Sequence, residues 1–328
     1  MSYDTGDTEA VLIVTTSGDA TADAVEAELN KLSTPVDRVD LGNFPVRLRL
    51  AVKNDSARWR GQLWTDDVSV GFDQVRSVYY RRPTQFSLPP GLSDGDSVFA
   101  IAEARLGFGG AFASMRTTWV NHPFKVAIAE YKPLQLNAAA EAGMKVPRTL
   151  ITNDRDELCA FAEEIDGPVV CKAFSSLVLS EGDAVESVYT TIIDPATVDP
   201  QQFSATAHLI QEWIPKDFEV RVTMVGQVPF ATAIRAGSDA AQVDWRADYQ
   251  TLSYEQVETP PDVAESLARY LAAFGLNYGA FDFVVEPDGT CRFLECNPNG
   301  QWLWLEHEVG LPIAAALAKL LTKGVELC

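Results

Sequence analysis

The chain has 328 residues, 47% of them hydrophobic, and a formal net charge of −20 at pH 7. This length and composition exclude a globally disordered chain and allow two or three packed units. The acidic balance argues against a general binder of nucleic acid or of anionic membranes.

The first part of the chain, to about residue 120, alternates strand and helix patterns. A buried strand is predicted at 10–16, an amphipathic helix at 21–32 and a second strand at 35–41. This order indicates a parallel sheet that is covered on both faces. A helix is expected at roughly 95–115. No GxGxxG follows the first strand, so the dinucleotide-binding fingerprint is absent.

The second part spans residues 121–214 and the third spans 215–328. A helix is predicted at 127–142, where Gly143 supplies a C-terminal stop. TLITND, RDELCAFAEEI and GPVVCKAFSS then predict a strand, a helix and a strand that runs into a polar loop at 175–183. LIQEWIPKDFEVRV predicts two strands joined at a proline. The third part continues with a helix at 261–274, a hairpin and one final helix.

The hairpin FDFVVEPDGTCRFLE carries a candidate metal site. Its turn is the Pro-Asp-Gly sequence, and strand pairing around that turn brings Asp282 near Glu295. Asn297 lies two residues beyond Glu295, on the same face of the strand. Two carboxylates and one amide oxygen are hard ligands that suit Mg²⁺. A solvated hairpin with ordinary capped turns is the alternative.

Several charged residues could bind a nucleotide. Lys172 lies among apolar neighbours in PVVCKAF, and a buried cation needs an anion such as phosphate. The strand before the proline of EWIP could offer backbone groups to adenine, and Glu219 could reach a ribose diol. Arg221 follows on the same strand face and could hold phosphate. The alternatives are a half-exposed lysine and an edge strand with outward charges, and Lys132 taken alone is expected to be solvated.

The cysteines and the N-terminal sequence indicate the cellular compartment. The five cysteines form no CxxC pair and have no histidine at zinc spacing, which favours reduced thiols in a cytoplasmic protein. The N-terminus has no basic region of the kind that begins a signal peptide, and no apolar run of about 20 residues is present.

The order of these features resembles the ATP-grasp superfamily over roughly residues 120–320. The features are a lysine, a strand lysine, a polar loop, the EWIP hinge, ExR, and then D…ExN. Within the superfamily, the strings YYRRP, DFEVRVTMVG, DWR and FLECNPNGQWLWLE resemble the graspetide synthetases, which are macrocyclases of ribosomal peptides. The implied fold class is α/β. It comprises an N-terminal parallel α/β domain (1–120) and central (121–214) and C-terminal (215–328) α+β domains that clamp ATP.

The resemblance implies an ADP-forming ligase. It joins Asp or Glu side chains of a precursor peptide, with a leader and an acidic core, to Ser/Thr hydroxyls or Lys amines. It also implies ATP, two Mg²⁺ ions and a homodimer. The implied ATP-binding residues are Lys132, Lys172, Gln211, Glu212, Trp213, Ile214 and Glu219. The implied metal ligands are Asp282, Glu295 and Asn297, the residues for phosphoryl transfer are Arg221 and Arg235, and the substrate-binding residues are Arg81, Arg82, Asp244 and Arg246.

Charge placement supports an acidic substrate. The segment 38–60 contains six basic residues, at positions 38, 47, 49, 53, 58 and 60, against two acidic ones, Asp40 and Asp55. With Arg81 and Arg82, this basic segment could steer a carboxylate-rich peptide. A scatter of solvated arginines is the alternative.

Two other functions stay open. One is a carboxylate–amine ligase of the same superfamily that acts on an amino acid, a small peptide or a protein C-terminus. The other is a non-catalytic module that binds a nucleotide or a peptide.

Overall fold

The computed structural model describes residues 9–54, 58–174, 178–181, 184–187 and 189–324. Asp55 of the basic segment, and residues 175–177 and 182–183 of the predicted polar loop, lie outside the described residues. None of the helices in the described part of the chain is long and apolar enough to cross a membrane.

The N-terminal part of the chain builds a parallel sheet and a small antiparallel sheet. Its elements are β1 (Ala10–Val14), α1 (Ala20–Lys31), β2 (Val36–Val39), β3 (Arg49–Asn54), β4 (Trp59–Trp64), β5 (Ser69–Gly71), β6 (Val75–Tyr80), α2 (Asp94–Glu103), a π-helical turn (Ala104–Phe108), α3 (Gly109–Ala113) and β7 (Thr118–Val120). The order β2-β1-β6-β7 confirms the predicted parallel sheet, and β3, β4 and β5 pair antiparallel beside it.

The middle part forms an antiparallel sheet with the order β12-β9-β13-β8, and a separate hairpin of β10 and β11. Its elements are α4 (Pro123–Ala129), α5 (Lys132–Glu141), β8 (Thr149–Thr152), α6 (Arg155–Ile165), β9 (Val169–Lys172), β10 (Val178–Glu181), β11 (Ala184–Ser187), β12 (Thr191–Ile193), α7 (Pro200–Phe203) and β13 (His208–Glu212). The single helix predicted at 127–142 is therefore wrong. Pro133 is tolerated only in a first helical turn, so one helix ends at Ala129 and the next begins at Lys132.

The last part contributes a five-stranded antiparallel sheet with the order β16-β15-β14-β17-β18. Its elements are β14 (Phe218–Val225), β15 (Val228–Arg235), α8 (Asp239–Val243), β16 (Ser253–Val257), α9 (Pro261–Phe274), β17 (Tyr278–Val285), β18 (Cys291–Asn297), α10 (Leu303–Val309) and α11 (Ile313–Lys323). The predicted hairpin and the helix at 261–274 are confirmed, whereas the single final helix is two helices that meet at Gly310.

The end of the chain returns to its beginning. Leu317 on α11 packs with Val11, Ile13 and Leu29 in one core, on one face of the parallel sheet. Phe112 lies in a separate core on the other face. Both faces of the sheet are thus covered, which explains the complete burial of residues 11–14. We retain the boundaries at 120 and 214 as a proposal, since each sheet takes its strands from one of the three ranges.

Candidate active site

Three neighbouring strands, β14, β17 and β18, carry the candidate metal cluster on one face of the five-stranded sheet. Phe281 and Phe293 lie in the apolar core on the opposite face, against α9. Residues 293 and 295 would share a face of a regular strand, but the register shifts between the pairs Asp282↔Glu295 and Phe283↔Phe293. This irregularity leaves Leu294 without a partner, and it turns Glu295 away from the core and toward Asp282.

A buried ion pair fixes the centre of the cluster. Arg221 donates from Nε to Oδ1 of Asp282 at 2.7 Å and from an Nη atom to Oδ2 at 2.6 Å. The two residues are Cα partners on adjacent strands. Burial disfavours the guanidinium charge, but the facing carboxylate outweighs this effect and raises the pKa of Arg221. The arginine therefore stays charged and in place.

Two lysines surround Glu295. Lys132, the first residue of α5, contacts its carboxylate directly. Burial opposes ionisation of Glu295, but the charges of Lys132, Lys172 and Arg246 outweigh burial and hold the pKa of Glu295 below its usual range. Burial lowers the pKa of Lys172, while the charge of Glu295 opposes that shift. The two predicted lysines and the predicted carboxylate thus meet at one place.

The predicted metal ligands fit Mg²⁺. Among the residues that the structure describes, no group of three His, Cys, Asp or Glu side chains is placed to hold a metal, and the predicted set is two carboxylates with one amide. Asn297 Nδ2 lies 3.4 Å from Oδ2 of Asp282 and 3.5 Å from Oε1 of Glu295. A half-turn of this amide would present its oxygen instead and complete a set of three oxygen ligands. One or two carboxylates with water and phosphate are the usual Mg²⁺ environment.

A pocket beside the cluster has the parts of a nucleotide site. Its lining includes the predicted residues Lys132, Lys172, Gln211, Glu212, Trp213, Ile214, Glu219, Arg221, Asp244, Arg246, Asp282, Glu295 and Asn297. Two of the hinge side chains have structural partners. Gln211 donates to Thr149 at 3.0 Å, and Glu212 accepts from the backbone N–H of Arg148 at 2.9 Å. Ile214 supplies an apolar wall.

The sequence prediction missed Lys216. Its Nζ contacts the carboxylate of Glu219, and both side chains are buried in the pocket. Burial raises the pKa of Glu219, and the charge of Lys216 opposes this shift. The spacing of three residues across the proline turn was the only signal in the sequence. Lys216 therefore stabilises the ionised form of the predicted ribose ligand.

Asp244 and Arg246 form a second bidentate pair, at 2.9 Å and 2.7 Å. Asp244 also accepts a hydrogen bond from the backbone N–H of Thr190 at 3.0 Å. Burial opposes ionisation of Asp244, but the hydrogen bonds and charge of Arg246 lower the pKa of Asp244 to about 2. Asp244 is buried and thus orients Arg246, whereas Arg246 is partly exposed to the cavity.

A large groove of about 1550 Å³ adjoins the pocket. Aromatic rings form one side of it. Trp304 lies 5.6 Å from Trp245 and 5.2 Å from Tyr254, measured between ring centroids. The linings of the two cavities have five residues in common, namely Lys132, Arg221, Trp245, Arg246 and Asn297. The groove therefore opens onto the charged cluster.

The structure corrects the expectation for Arg235. Thr232 is the Cα partner of Arg221, and residues alternate between faces, so Arg235 lies on the opposite face from the cluster. Its guanidinium lies over the ring of Phe218, 4.4 Å from the centroid, and 3.8 Å from Asp217. It cannot contact a phosphoryl group that is held by Arg221.

The expectation for Arg81 is also corrected. Its side chain is 1% exposed and binds Asp19 at 3.0 Å, so it cannot contact a peptide in solution. Arg82 is exposed and lines the groove, and its role in substrate binding stays a prediction. The basic segment lies in neither cavity, and Arg38 pairs with Asp23 at 2.5 Å.

Comparison with known proteins shows which proteins the whole chain resembles. Residues 10–127 match the family model of the MvdD pre-ATP grasp domain. Macrocyclase MdnC of Microcystis aeruginosa MRC, solved with precursor peptide MdnA, is 29% identical with a TM-score of 0.82 over 96% of this chain and 99% of that chain. A RiPP-associated ATP-grasp ligase of Chryseobacterium gregarium, solved with ADP and a leader and core peptide, is 24% identical, with a TM-score of 0.87 over 96% and 97% of the two chains.

A third solved structure is ATP-grasp ligase PsnB with a phosphomimetic variant of its minimal precursor, Mg and ADP. It is 21% identical, with a TM-score of 0.74 over 97% of this chain and 98% of that chain. No curated protein sequence matches the chain. The predicted resemblance and the predicted fold class are confirmed. The chain is an ATP-dependent ligase with the ATP-grasp fold, and its residues 10–127 match the MvdD pre-ATP grasp domain.

Proposed function

We propose that this ligase is a macrocyclase of a ribosomal precursor peptide. It activates Asp or Glu side chains of the peptide core and joins them to Ser/Thr hydroxyls as esters or to Lys amines as amides. The main support for the proposal is that the two cavities join. A nucleotide pocket and a groove large enough for a peptide meet at Lys132, Arg221, Arg246 and Asn297.

Lys132 and Lys172 would bind the ATP phosphates, since both cations line the pocket beside Glu295. Ile214 and the neighbouring backbone would hold the adenine, and Glu219 would accept from the ribose hydroxyls. Lys216 pairs with Glu219 and opposes the rise that burial causes in the pKa of Glu219, which favours the ionised form for that role. Each of these residues lies in the pocket that the cluster closes at one end.

The first chemical step is phosphoryl transfer to the peptide carboxylate. A carboxylate oxygen attacks the γ-phosphorus of ATP, the bond to the β,γ-bridging oxygen breaks, and ADP leaves. The product is an acyl phosphate with a good leaving group. Arg221 and Arg246 are fixed cations at the junction and would offset the negative charge that develops during transfer.

Asp282, Glu295 and Asn297 would hold Mg²⁺, and we propose two ions. Bound Mg²⁺ neutralises phosphate charge during transfer. The protein residues supply the oxygen ligands, and Arg221 fixes the orientation of Asp282 through both of its carboxylate oxygens.

The second chemical step is ring closure. A hydroxyl or an amine of the same peptide attacks the acyl carbon, loses its proton, and displaces phosphate. Water competes for the acyl phosphate, so the groove has to exclude it. The aromatic side formed by Trp245, Tyr254 and Trp304 is suited to this, and Arg82 would hold further carboxylates of the core.

We also propose a homodimer that works in the cytoplasm. Helix α2 buries none of its side chains, and Val98 and Phe99 are 71% and 67% exposed. Such apolar exposure is typical of an interface. The four cysteines in the described chain are free thiols, as in cytoplasmic proteins.

The test is ADP release from purified protein with ATP and Mg²⁺, with and without an acidic candidate precursor, followed by the intact mass of the peptide. We expect peptide-stimulated ADP release and the loss of one water per bond formed. Hydroxylamine treatment then separates ester from amide, since it cleaves esters. ADP release that small amino acids alone stimulate would instead indicate a small-substrate ligase. No turnover with any carboxylate would contradict an enzymatic role.

A further inference from the structure

The loop that follows Asn297 is held by the N-terminal part of the chain. Residues 298–301 connect β18 to α10, and their polar contacts include Thr21 and Arg81, of which Arg81 in turn pairs with Asp19. None of these three residues contacts the cluster of Asp282 and Glu295 directly. Their contacts converge instead on the loop that leaves the metal site.

Arg81 binds the loop and the start of α1 at the same time. Its Nε donates to Oδ2 of Asp19 at 3.0 Å, and an Nη atom donates to Oε1 of Gln301 at 3.1 Å. Thr21 Oγ1 donates to the same Gln301 oxygen at 3.0 Å. The backbone carbonyl of Arg81 accepts from the side-chain amide of Asn299. One arginine thus restrains two loop residues.

Asp19 is fixed before it meets the arginine. It caps α1 by accepting from the backbone N–H of Thr21 at 3.1 Å, and it accepts from the hydroxyl of Thr15 at 2.7 Å. The side chains of Arg81 and Asp19 are 1% and 8% exposed. A buried charge pair with this many hydrogen bonds is held in one geometry. The position of α1 therefore determines where Arg81 holds the loop.

The other residues of the loop are also held in place, so they cannot move to make up for a lost contact with Arg81. Tyr278 donates its hydroxyl to the carbonyl of Gly300 at 2.8 Å, and Asn121 donates to the carbonyl of Pro298 at 2.7 Å. A Cβ atom on Gly300 would lie 2.6 Å from the Cβ of Ala280 and 3.1 Å from that of Asn297. The loop is therefore packed directly against the proposed metal ligand.

We propose that Arg81 and Asp19 are positioning residues that orient Asn297 toward Asp282 and Glu295 through the loop 298–301. The inference rests on the proposed function, since it assigns a role toward the Mg²⁺ ligands. It also assigns different roles to two neighbouring arginines. Arg81 points inward and holds the loop, whereas Arg82 is exposed and lines the groove.

The test is Mn²⁺ binding in the presence of ADP, measured by electron paramagnetic resonance on the full chain. Mn²⁺ replaces Mg²⁺ as the probe, and no turnover is needed. We expect Arg81→Met to weaken Mn²⁺ binding about 10- to 100-fold, the usual effect of losing an outer-shell partner. Arg81→Lys keeps the charge beside Asp19 but loses the fork to Gln301, so its affinity should lie in between.

Ser77→Ala is the matched control. Ser77 lies on β6, the strand that ends directly before Arg81, and its buried hydroxyl donates to the carbonyl of Leu321 at 2.8 Å. The variant loses a buried hydrogen bond between β6 and α11 but does not touch the loop, so its Mn²⁺ affinity should stay unchanged. Circular dichroism confirms that each variant is folded.

Gln301→Met is the second variant, because its side chain lies on the loop and Arg81→Met could fail to fold. Unchanged Mn²⁺ affinity in Gln301→Met or in folded Arg81→Met would overturn the inference alone. Equal weakening in Ser77→Ala would also overturn it, since the effect would then be general destabilisation. No Mn²⁺ binding by the unmodified protein would overturn the proposed metal site, and the inference with it.

Discussion

Arg221 and Asp282 face each other on adjacent strands, and the guanidinium holds both carboxylate oxygens, at 2.7 Å and 2.6 Å. The pair is buried between the proposed nucleotide pocket and the groove, and Arg221 lines both cavities. A cation in this position can offset phosphoryl charge, and it also fixes the orientation of one proposed metal ligand.

The first prediction compares Arg221 with Arg235. Arg221→Met should abolish detectable ADP release and lower the free energy of unfolding by about 3–5 kcal/mol, because Asp282 would be a buried charge without a partner. Arg235→Met should change both quantities little, since this residue lies on the other face of the sheet. Steady-state kinetics and urea unfolding check both variants. A loss of turnover in Arg235→Met comparable to that in Arg221→Met would contradict the corrected assignment.

The second prediction concerns Glu295. Glu295→Gln keeps the size of the side chain but removes the charge that faces Lys132, so it should weaken Mg²⁺ binding and reduce ADP formation at least about 100-fold. The Mg²⁺ dependence of the rate is the measurement.

Glu265→Gln is a suitable control for this variant, since Glu265 is an exposed carboxylate on α9 that pairs with Arg269 at 2.8 Å, away from the cluster. Normal turnover in Glu295→Gln would remove this residue from the metal site.

The third prediction concerns Lys216. Lys216→Met leaves the buried carboxylate of Glu219 without its cation, so the carboxylate will take up a proton more readily and bind the ribose less well. The KM for ATP should rise by about tenfold, with a smaller change in kcat, for the loss of one charge-assisted contact. Lys319→Met, at an exposed position of α11, is the control. An unchanged KM for ATP would mean that Lys216 has no role in nucleotide binding.

The fourth prediction is a pH dependence of stability. Asp244 has a pKa of about 2 in the folded protein, against 3.8 for an unperturbed carboxyl group. Its folded pKa is depressed, so its contribution is complete at pH values above 3.8 and is lost as pH falls from there toward 2. That contribution is about 2 kcal/mol.

Asp244→Asn should therefore be less stable than the unmodified protein at pH 7, by about this amount. The difference should narrow only below about pH 4. Urea unfolding at pH 7, 5, 4 and 3 gives the two curves, and a constant difference down to pH 3 would show that the Arg246 pair does not depend on ionisation of Asp244.

The hairpin shows which features of the fold and the site could be predicted from the sequence alone. The Pro-Asp-Gly turn predicts the hairpin and brings Asp282 close to Glu295, but the regular register that it sets would pair Asp282 with Leu294, and only the irregularity places Glu295 opposite Asp282. The parallel order of the first sheet followed likewise from the alternation of strand and helix patterns. The motifs on these elements then carried the resemblance to ATP-grasp ligases.

Only the tertiary structure decided which way several side chains point and what they contact. The irregularity at Leu294 turns Glu295 out of the core, the register of β15 places Arg235 on the wrong face for catalysis, and Arg81 is buried against Asp19. Turn chemistry and periodicity act between residues that are close in the chain, so a single sequence displays them. The face of an irregular strand, and the partner of a buried charge, are decided by segments that are far apart in the chain and meet only in the folded protein.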